Sequence, residues 1–149
     1  MTIYIINNLG EAEAALDYFN GFHDGFIKQL TLISHDQFEA RGVQAGGGGL
    51  RLKITFAHYN YQQDSKPVDQ LIKTSFFKVM NVAIDFSGLS YEWSVNHLNF
   101  FETQRALEDG QEVACLGLSL VQSRLNPRRE WELHDDVRCT FSRAEFEEL

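Results

Sequence analysis

A mainly β (α+β) fold, an antiparallel sandwich or strongly curved sheet with one N-terminal helix, is what the sequence predicts. Three observations point there. The 149 residues include 12 Phe, 5 Tyr and 2 Trp, and aromatic side chains favour half-buried pleated surfaces. Several long segments alternate apolar and polar residues with period two. Neither Pro67 nor Pro127 interrupts an apolar run, so neither breaks a strand.

A short strand is expected at residues 2–6. Asn8-Leu9-Gly10-Glu11 then places Glu three residues after a good N-cap, close to a capping box. Ala12, Ala15, Leu16 and Phe19 share one helical face. Asn20-Gly21 is the expected stop, because glycine accepts the left-handed conformation found beyond helix ends.

Strands follow at 26–34 and 37–44, with a tight turn at His35-Asp36. In 50–61, Leu50, Leu52, Ile54 and Phe56 alternate with Arg51, Lys53 and Thr55. Pairing Phe38, Ala40 and Gly42 with Phe56, Ile54 and Leu52 would put both apolar sets on one face. Ala45 and the four glycines 46–49 would then form a hairpin tip. Beyond a polar loop at 62–69, residues 71–86 read as a long strand bent by a bulge, with Phe76, Met80, Val82, Ile84 and Phe86 on one parity. Ser87-Gly88 turns into a strand at 89–95. Phe100-Phe101 belong to an element whose type the pattern leaves open. Asp109-Gly110 is a hairpin-turn signal. Strands 111–123 and 129–141 flank Asn126-Pro127-Arg128. Centred on Pro127, this hairpin would set Val113 opposite Phe141, Cys115 opposite Cys139, Gly117 opposite Val137 and Val121 opposite Leu133. Ser142-Arg143-Ala144-Glu145 offers a second capping box, so the tail is expected to end in a helical turn.

The length suits a single domain, 1–149, able to bury a core without disulfide or metal staples. There is no repeat at 20–50 residues. Net charge is −8, from 13 Lys and Arg against 21 Asp and Glu, and eleven of the acids lie in residues 100–149. An acidic balance argues against nonspecific nucleic-acid binding, keeps a small domain soluble and permits a basic protein partner. The N-terminus lacks a basic region before its apolar residues, and no apolar run approaches ~20 residues. With no disulfide framework from two cysteines, a cytoplasmic protein is expected.

Three of the five histidines precede aspartate: His23-Asp24, His35-Asp36 and His134-Asp135. Histidine with carboxylate ligates Zn or Fe or forms an acid–base couple, which makes His23, Asp24 and His134 the candidate metal residues. Against this, adjacent residues on a strand point to opposite faces, and all three pairs fall at expected turns or strand ends, where Asp serves turn chemistry. Cys115 and Cys139 read as small buried hydrophobes, with no Cys-x-x-Cys and no histidine beside either. The glycine run lacks the Gly-Lys-Ser/Thr of a phosphate cradle, and no Gly-x-Ser-x-Gly elbow occurs. Tyr59, Tyr61, Tyr91 and Trp93 are core aromatics or pocket walls. Arg124, Arg128 and Arg129 form a small basic spot near the last turn. No catalytic residue and no cofactor are indicated.

Phe22-His23-Asp24-Gly25-Phe26-Ile27, followed by Leu30 and Leu32 and by the strand rhythm of Phe76-Phe77-Lys78-Val79-Met80-Asn81-Val82, resembles small bacterial mostly-β domains. In these, Phe-His-Asp leads into the edge of an antiparallel sheet. Some such families are uncharacterised and others resemble immunity proteins of bacterial polymorphic toxin systems. The resemblance covers residues 22–86. It implies a non-enzymatic protein-binding domain that docks on a toxin, with an acidic surface steering it to a basic partner. The alternative is a metal- or small-ligand-binding β domain built on the His/Asp pairs. A third is a subunit that homo-oligomerises through an edge strand.

Overall fold

The computed structural model describes residues 3–35, 37–38, 44–45, 49–59, 69–85 and 94–149. Among these, strand β1 (Ile3–Ile6) leads to helix α1 (Leu9–Tyr18) and a 3₁₀ turn (Asn20–Phe22). There follow β2 (Phe26–Ser34), β3 (Gln37–Phe38), β4 (Gln44–Ala45), β5 (Leu50–Tyr59) and β6 (Asp69–Ile84). The chain then adds β7 (His97–Ala106), β8 (Glu112–Leu125), β9 (Trp131–Phe141) and β10 (Arg143–Glu148). Eight of the strands form one strongly curled antiparallel sheet, a half-barrel ordered β1-β10-β6-β9-β8-β7, with β5 also on β6 and β2 on β5. No helix among the described residues is long and apolar enough to cross a membrane.

Helix α1 begins as its sequence dictates. The Asn8 side chain accepts the Glu11 N–H at 2.9 Å, and the Glu11 carboxylate reaches back to the Asn7 N–H at 2.9 Å. Ala12, Ala15 and Phe19 are fully or almost fully buried, and Leu16 packs beside them, so α1 covers the inner face of the curl. Asn20, Gly21 and Phe22 then have φ of 51°, 62° and 59°. A left-handed phenylalanine costs roughly 1–2 kcal/mol. Full burial of a Phe side chain contributes about 1.5–3 kcal/mol. Phe22 is completely buried, 5.1 Å from the Phe19 ring and 4.7 Å from that of Phe56, so packing outweighs the backbone cost.

Strand β6 joins the two halves of the sheet. Its register against β5 steps between Leu50 and Arg51, leaving Lys78 as an extra residue, and its register against β9 steps again between Met80 and Ala83. Lys78 and Asn81 carry the positive φ values, 51° and 54°, that accompany these bulges. Each bulge flips the parity. Ile72, Thr74, Phe76 and Val79 are buried and Val82 packs on the core, while Met80 and Ile84 are exposed. The expected bulge is present. The single parity expected through Phe76, Met80, Val82 and Ile84 is broken at Met80, which the insertion at Lys78 turns outward, and is restored at Val82 by the insertion at Asn81.

Strands β9 and β10 run along the same edge of β6. Thr140 faces Met80 and Arg143 faces Phe77, and the Ser142 N–H donates to the Phe77 carbonyl between them at 3.0 Å. On the other edge of this pair the sheet divides: β8 pairs with β9 up to Phe141 opposite Leu116, and β1 pairs with β10 from Ala144 opposite Ile6. The expected C-terminal helical turn is therefore a strand. Ala144 and Phe146 alternate inward and are fully buried, and that burial overrides the local capping signal.

Two pairings also differ from expectation. Leu52, Ile54 and Phe56 face Leu32, Leu30 and Ile27 of β2, while Gln37–Phe38 pairs with Gln44–Ala45 as a separate ribbon. Ala40 and Gly42 lie outside the described residues, as do Gly46 to Gly48, the 62–69 loop apart from Asp69, and residues 86–93. In the last hairpin, Leu125 faces Trp131, so the turn centres on Arg128 rather than Pro127. Asn126 sets it: its side chain accepts the N–H groups of Arg128 and Glu130, both at 2.9 Å, and Arg129 has φ 62°. Proline takes the second position of such a turn, not its centre.

A bulge at Asp136 shifts the register once more, so that Leu120 faces Val137, Leu118 faces Cys139 and Leu116 faces Phe141. Asp136 is 1% exposed and receives a hydrogen bond from Arg124 Nη2, which also donates to the Asp85 carbonyl. The Asp85 N–H donates to the Asp136 carbonyl at 2.8 Å, closing a link between β6, β8 and β9. The second Asp136 oxygen has no protein partner among the described residues. Burial accordingly raises the carboxyl pKa against the pull of Arg124. Removing one member of a buried pair strands the other. Arg124→Met should lose about 3–5 kcal/mol in urea denaturation, and adding Asp136→Leu should recover most of it. A single variant as stable as the wild type would contradict this.

Candidate functional site

The sequence directs attention first to His23 and Asp24. They occupy the turn that delivers the chain from the 3₁₀ segment to β2. His23 Nδ1 lies 3.1 Å from Asp24 Oδ2, and both side chains are at least half exposed. The backbone does the structural work. Asp24 has φ 63°, its N–H donates to the Val95 carbonyl at 3.2 Å, and the Gly25 N–H donates to the Phe22 carbonyl at 3.0 Å. A Cβ on Gly25 would sit 3.0 Å from the carbonyl oxygens of Ala57 and Phe22, so glycine fits where the turn meets β5.

His134 lies on β9 opposite Gln122, with its Nε2 3.3 Å from Glu132 Oε2. Asp135 instead accepts a hydrogen bond from Ser119 Oγ at 2.7 Å. Residues 134 and 135 thus work on opposite faces of the strand, as adjacent strand residues must. Among the described residues, no group of three or more His, Cys, Asp or Glu side chains is placed to hold a metal ion. The structure does not gather His134 with His23 and Asp24. His35 is the residue before the undescribed Asp36.

The cysteines are separated by the same bulge that shifts the hairpin. Cys139 shares the inner face with Leu118 opposite it and is buried, whereas Cys115 faces Thr103 of β7 on the outward parity of β8. Both are free thiols. Burial pushes the Cys139 pKa from 9.0 up to about 12. Of the four aromatics proposed as pocket walls, Tyr61, Tyr91 and Trp93 lie outside the described residues, and Tyr59 ends β5.

The division of the sheet at Ser142 opens a cleft of about 450 Å³ between the start of α1, β7 and β8, with Asn8, Glu102, Gln104, Cys115 and Ser142 on its walls. Among the described residues its lining holds one thiol and one carboxylate but no histidine, lysine or arginine.

A buried titratable group was not flagged by the residue pattern. His58 is 2% exposed, packed edge-on at 5.7 Å from the Phe19 ring and 5.5 Å from that of Phe22. Burial lowers its pKa, and nearby Glu148 partly opposes this. Glu148 also accepts the Tyr4 hydroxyl at 3.1 Å; burial first, then Tyr18 and Glu148, raise the Tyr4 pKa. His58 occupies an inward-facing position of β5, two residues after Phe56, and that alternation was its one sequence signal.

No family model matches the chain, and neither a curated protein nor a solved structure does.

Two outcomes check these assignments. If Asp24 serves the turn, Asp24→Gly should leave stability unchanged or raise it slightly. Asp24→Val should cost about 1–2 kcal/mol, the penalty of a left-handed β-branched residue; equal effects in thermal denaturation would contradict the turn role. For Cys139, the unfolded thiol ionises above its ordinary pKa while the folded thiol stays protonated. Unfolding then releases a proton, so stability should fall as pH rises from about 9 towards 12. Cys139→Val should flatten that decline in denaturant midpoints measured across the range, and identical pH slopes would rule the effect out.

Proposed function

We propose that the chain is a non-enzymatic protein-binding domain, immunity-protein-like, that docks on a basic protein partner through the β8–β9 hairpin. One observation carries this. Trp131 and Leu133 are 69% and 61% exposed on the same face of β9, where they lie opposite Leu125 and Ser123. Exposed tryptophan beside leucine is costly for a surface with no partner, and buried tryptophan is enriched among the residues that dominate binding energy.

The surroundings fit a basic partner. Asp135 shares the parity of the two apolar side chains, Glu130 and Glu132 add charge at the turn and on the opposite face of the strand, and Arg128 and Arg129 are confined to the turn. The nearby Arg124 is already neutralised by Asp136. The chain as a whole carries −8, and a summed field of that sign speeds encounter with a cationic surface. Asn126 stiffens the hairpin by bonding Glu132 Oε1 at 2.7 Å as well as the turn, so little ordering is left for binding.

The test begins with affinity capture by the intact chain, followed by purification of the captured protein and titration of the pair. Trp131→Ala with Leu133→Ala should weaken binding by at least about thirtyfold, since a single hot-spot side chain is worth about 2 kcal/mol. Folding stability should stay within about 0.5 kcal/mol, as for exposed sites generally. Association should slow with added salt. A captured protein that is acidic, or that binds the double variant as tightly, would refute the proposal.

A further inference from the structure

An acidic chain has gathered cations at one point on its outer face. Arg51 of β5, Phe77 of β6 and Arg143 of β10 are direct cross-strand neighbours in a single row. Directly opposed residues share a face, and both guanidinium groups lie over the Phe77 ring, with Cζ 4.4 Å and 5.3 Å from its centre. The next residue is Lys78, the bulged position that ends this part of β6. Arg105 of β7 reaches the same spot and donates from Nη1 to the Lys78 carbonyl at 2.7 Å. A cleft of about 310 Å³ opens here, walled by Arg51, Phe77, Lys78, Ser142, Arg143 and His35 among others.

Three of the chain's 13 Lys and Arg therefore wall one cleft in a molecule of net charge −8, and a fourth, Arg105, bonds the backbone at Lys78. Among the described residues one carboxylate, Glu145, pairs with any of them, through Arg143. Like charges held this close repel, and an anion between them relieves the repulsion. The donors are also under-used. The Nε atoms of Arg51 and Arg105 are buried and have no acceptor among the described residues. Guanidinium groups braced on an aromatic face are the usual recognisers of phosphate-type oxygens, which accept several in-plane N–H bonds at once.

We propose that this cleft binds a phosphate-type oxyanion, either free phosphate or the terminal phosphate of a small phosphoester. Arg51 and Arg143 are its principal donors, Phe77 holds both guanidinium groups in place, and Lys78 adds charge from the bulge. The site is independent of the hairpin docking surface, which lies on β8 and β9.

Calorimetric titration of the intact chain with inorganic phosphate, and separately with glycerol phosphate, at constant ionic strength in chloride, tests this. Saturable binding of either probe is expected, and the tighter of the two identifies the source. Arg51→Gln and Arg143→Gln should each weaken it about tenfold, as loss of a charge-assisted bond does. Lys28→Gln, a charge change on β2, should leave it unaltered. Should Arg51→Gln fail to fold, the more exposed Arg143→Gln decides, together with the Arg51 Nε–H resonance, which should shift on addition of phosphate. No saturable binding of either probe would overturn the proposal, as would equal weakening by Lys28→Gln.

Discussion

One strand must serve two halves of a curled sheet, and the bulges in β6 are what allow it. A regular sixteen-residue strand would keep one parity throughout and carry Met80 and Ile84 inward along with Phe76. The extra residue at Lys78 turns Val79 inward and Met80 outward, and the one at Asn81 restores the original parity, so that Val82 again packs on the core. Seven phenylalanines are buried in the interior that results. Phe76 and Phe141 meet edge to face at 5.0 Å, and Phe146 joins them to the Phe19–Phe22 pair under α1. Buried polar groups are satisfied where the strands meet, as when the Thr74 hydroxyl donates to the Ile54 carbonyl at 2.8 Å.

The same bends govern what is left outside. At Lys78 the bulge steps the β5 register, and arginines from the adjacent β5 and β10 and from the more distant β7 meet beside it. At Ser142, where β9 becomes β10, β1 and β8 part and leave the cleft beside α1. At Asp136 the inserted residue buries its own carboxylate and consumes Arg124. The basic spot expected around Arg124, Arg128 and Arg129 is thereby reduced to the turn itself. The most exposed large apolar strand residues among those described, Trp131 and Leu133, then lie on the first half of β9. Function in this fold is accordingly expected at irregularities, since regular pleat commits alternate residues to the core or to featureless surface.

Much of the fold was legible in the residues. Strand β1, the Asn8 cap, the inward face of α1, the bounds of β2, the alternation of β5 and a bulge in β6 all follow from local chemistry acting over a few residues. Partners were less legible. Residues 37–44 and β2 carry similar alternation, and either could pair apolar-to-apolar with β5. The hairpin centred on Pro127 also gave apolar pairs throughout, so hydrophobic matching could not expose a register error of two or three residues. The His-Asp pairs drew attention by their repetition, yet His23 and Asp24 serve a turn and His134 pairs with Glu132. The row of Arg51, Phe77 and Arg143 spans 93 positions of sequence and left no local trace.

By itself, then, the sequence determined that β1, β2, β5, β6 and the β8–β9 hairpin are extended, which face of β5 is apolar, and where the one helix starts. These depend on side-chain period and on hydrogen bonds between residues a few positions apart. The tertiary structure alone decided registers, the strand rather than helix at the C-terminus, the separation of Cys115 from Cys139, and the meeting of distant arginines over one ring. Those outcomes turn on single inserted residues at Lys78, Asn81 and Asp136. Whether a residue is extra is defined only by the strand that lies opposite it.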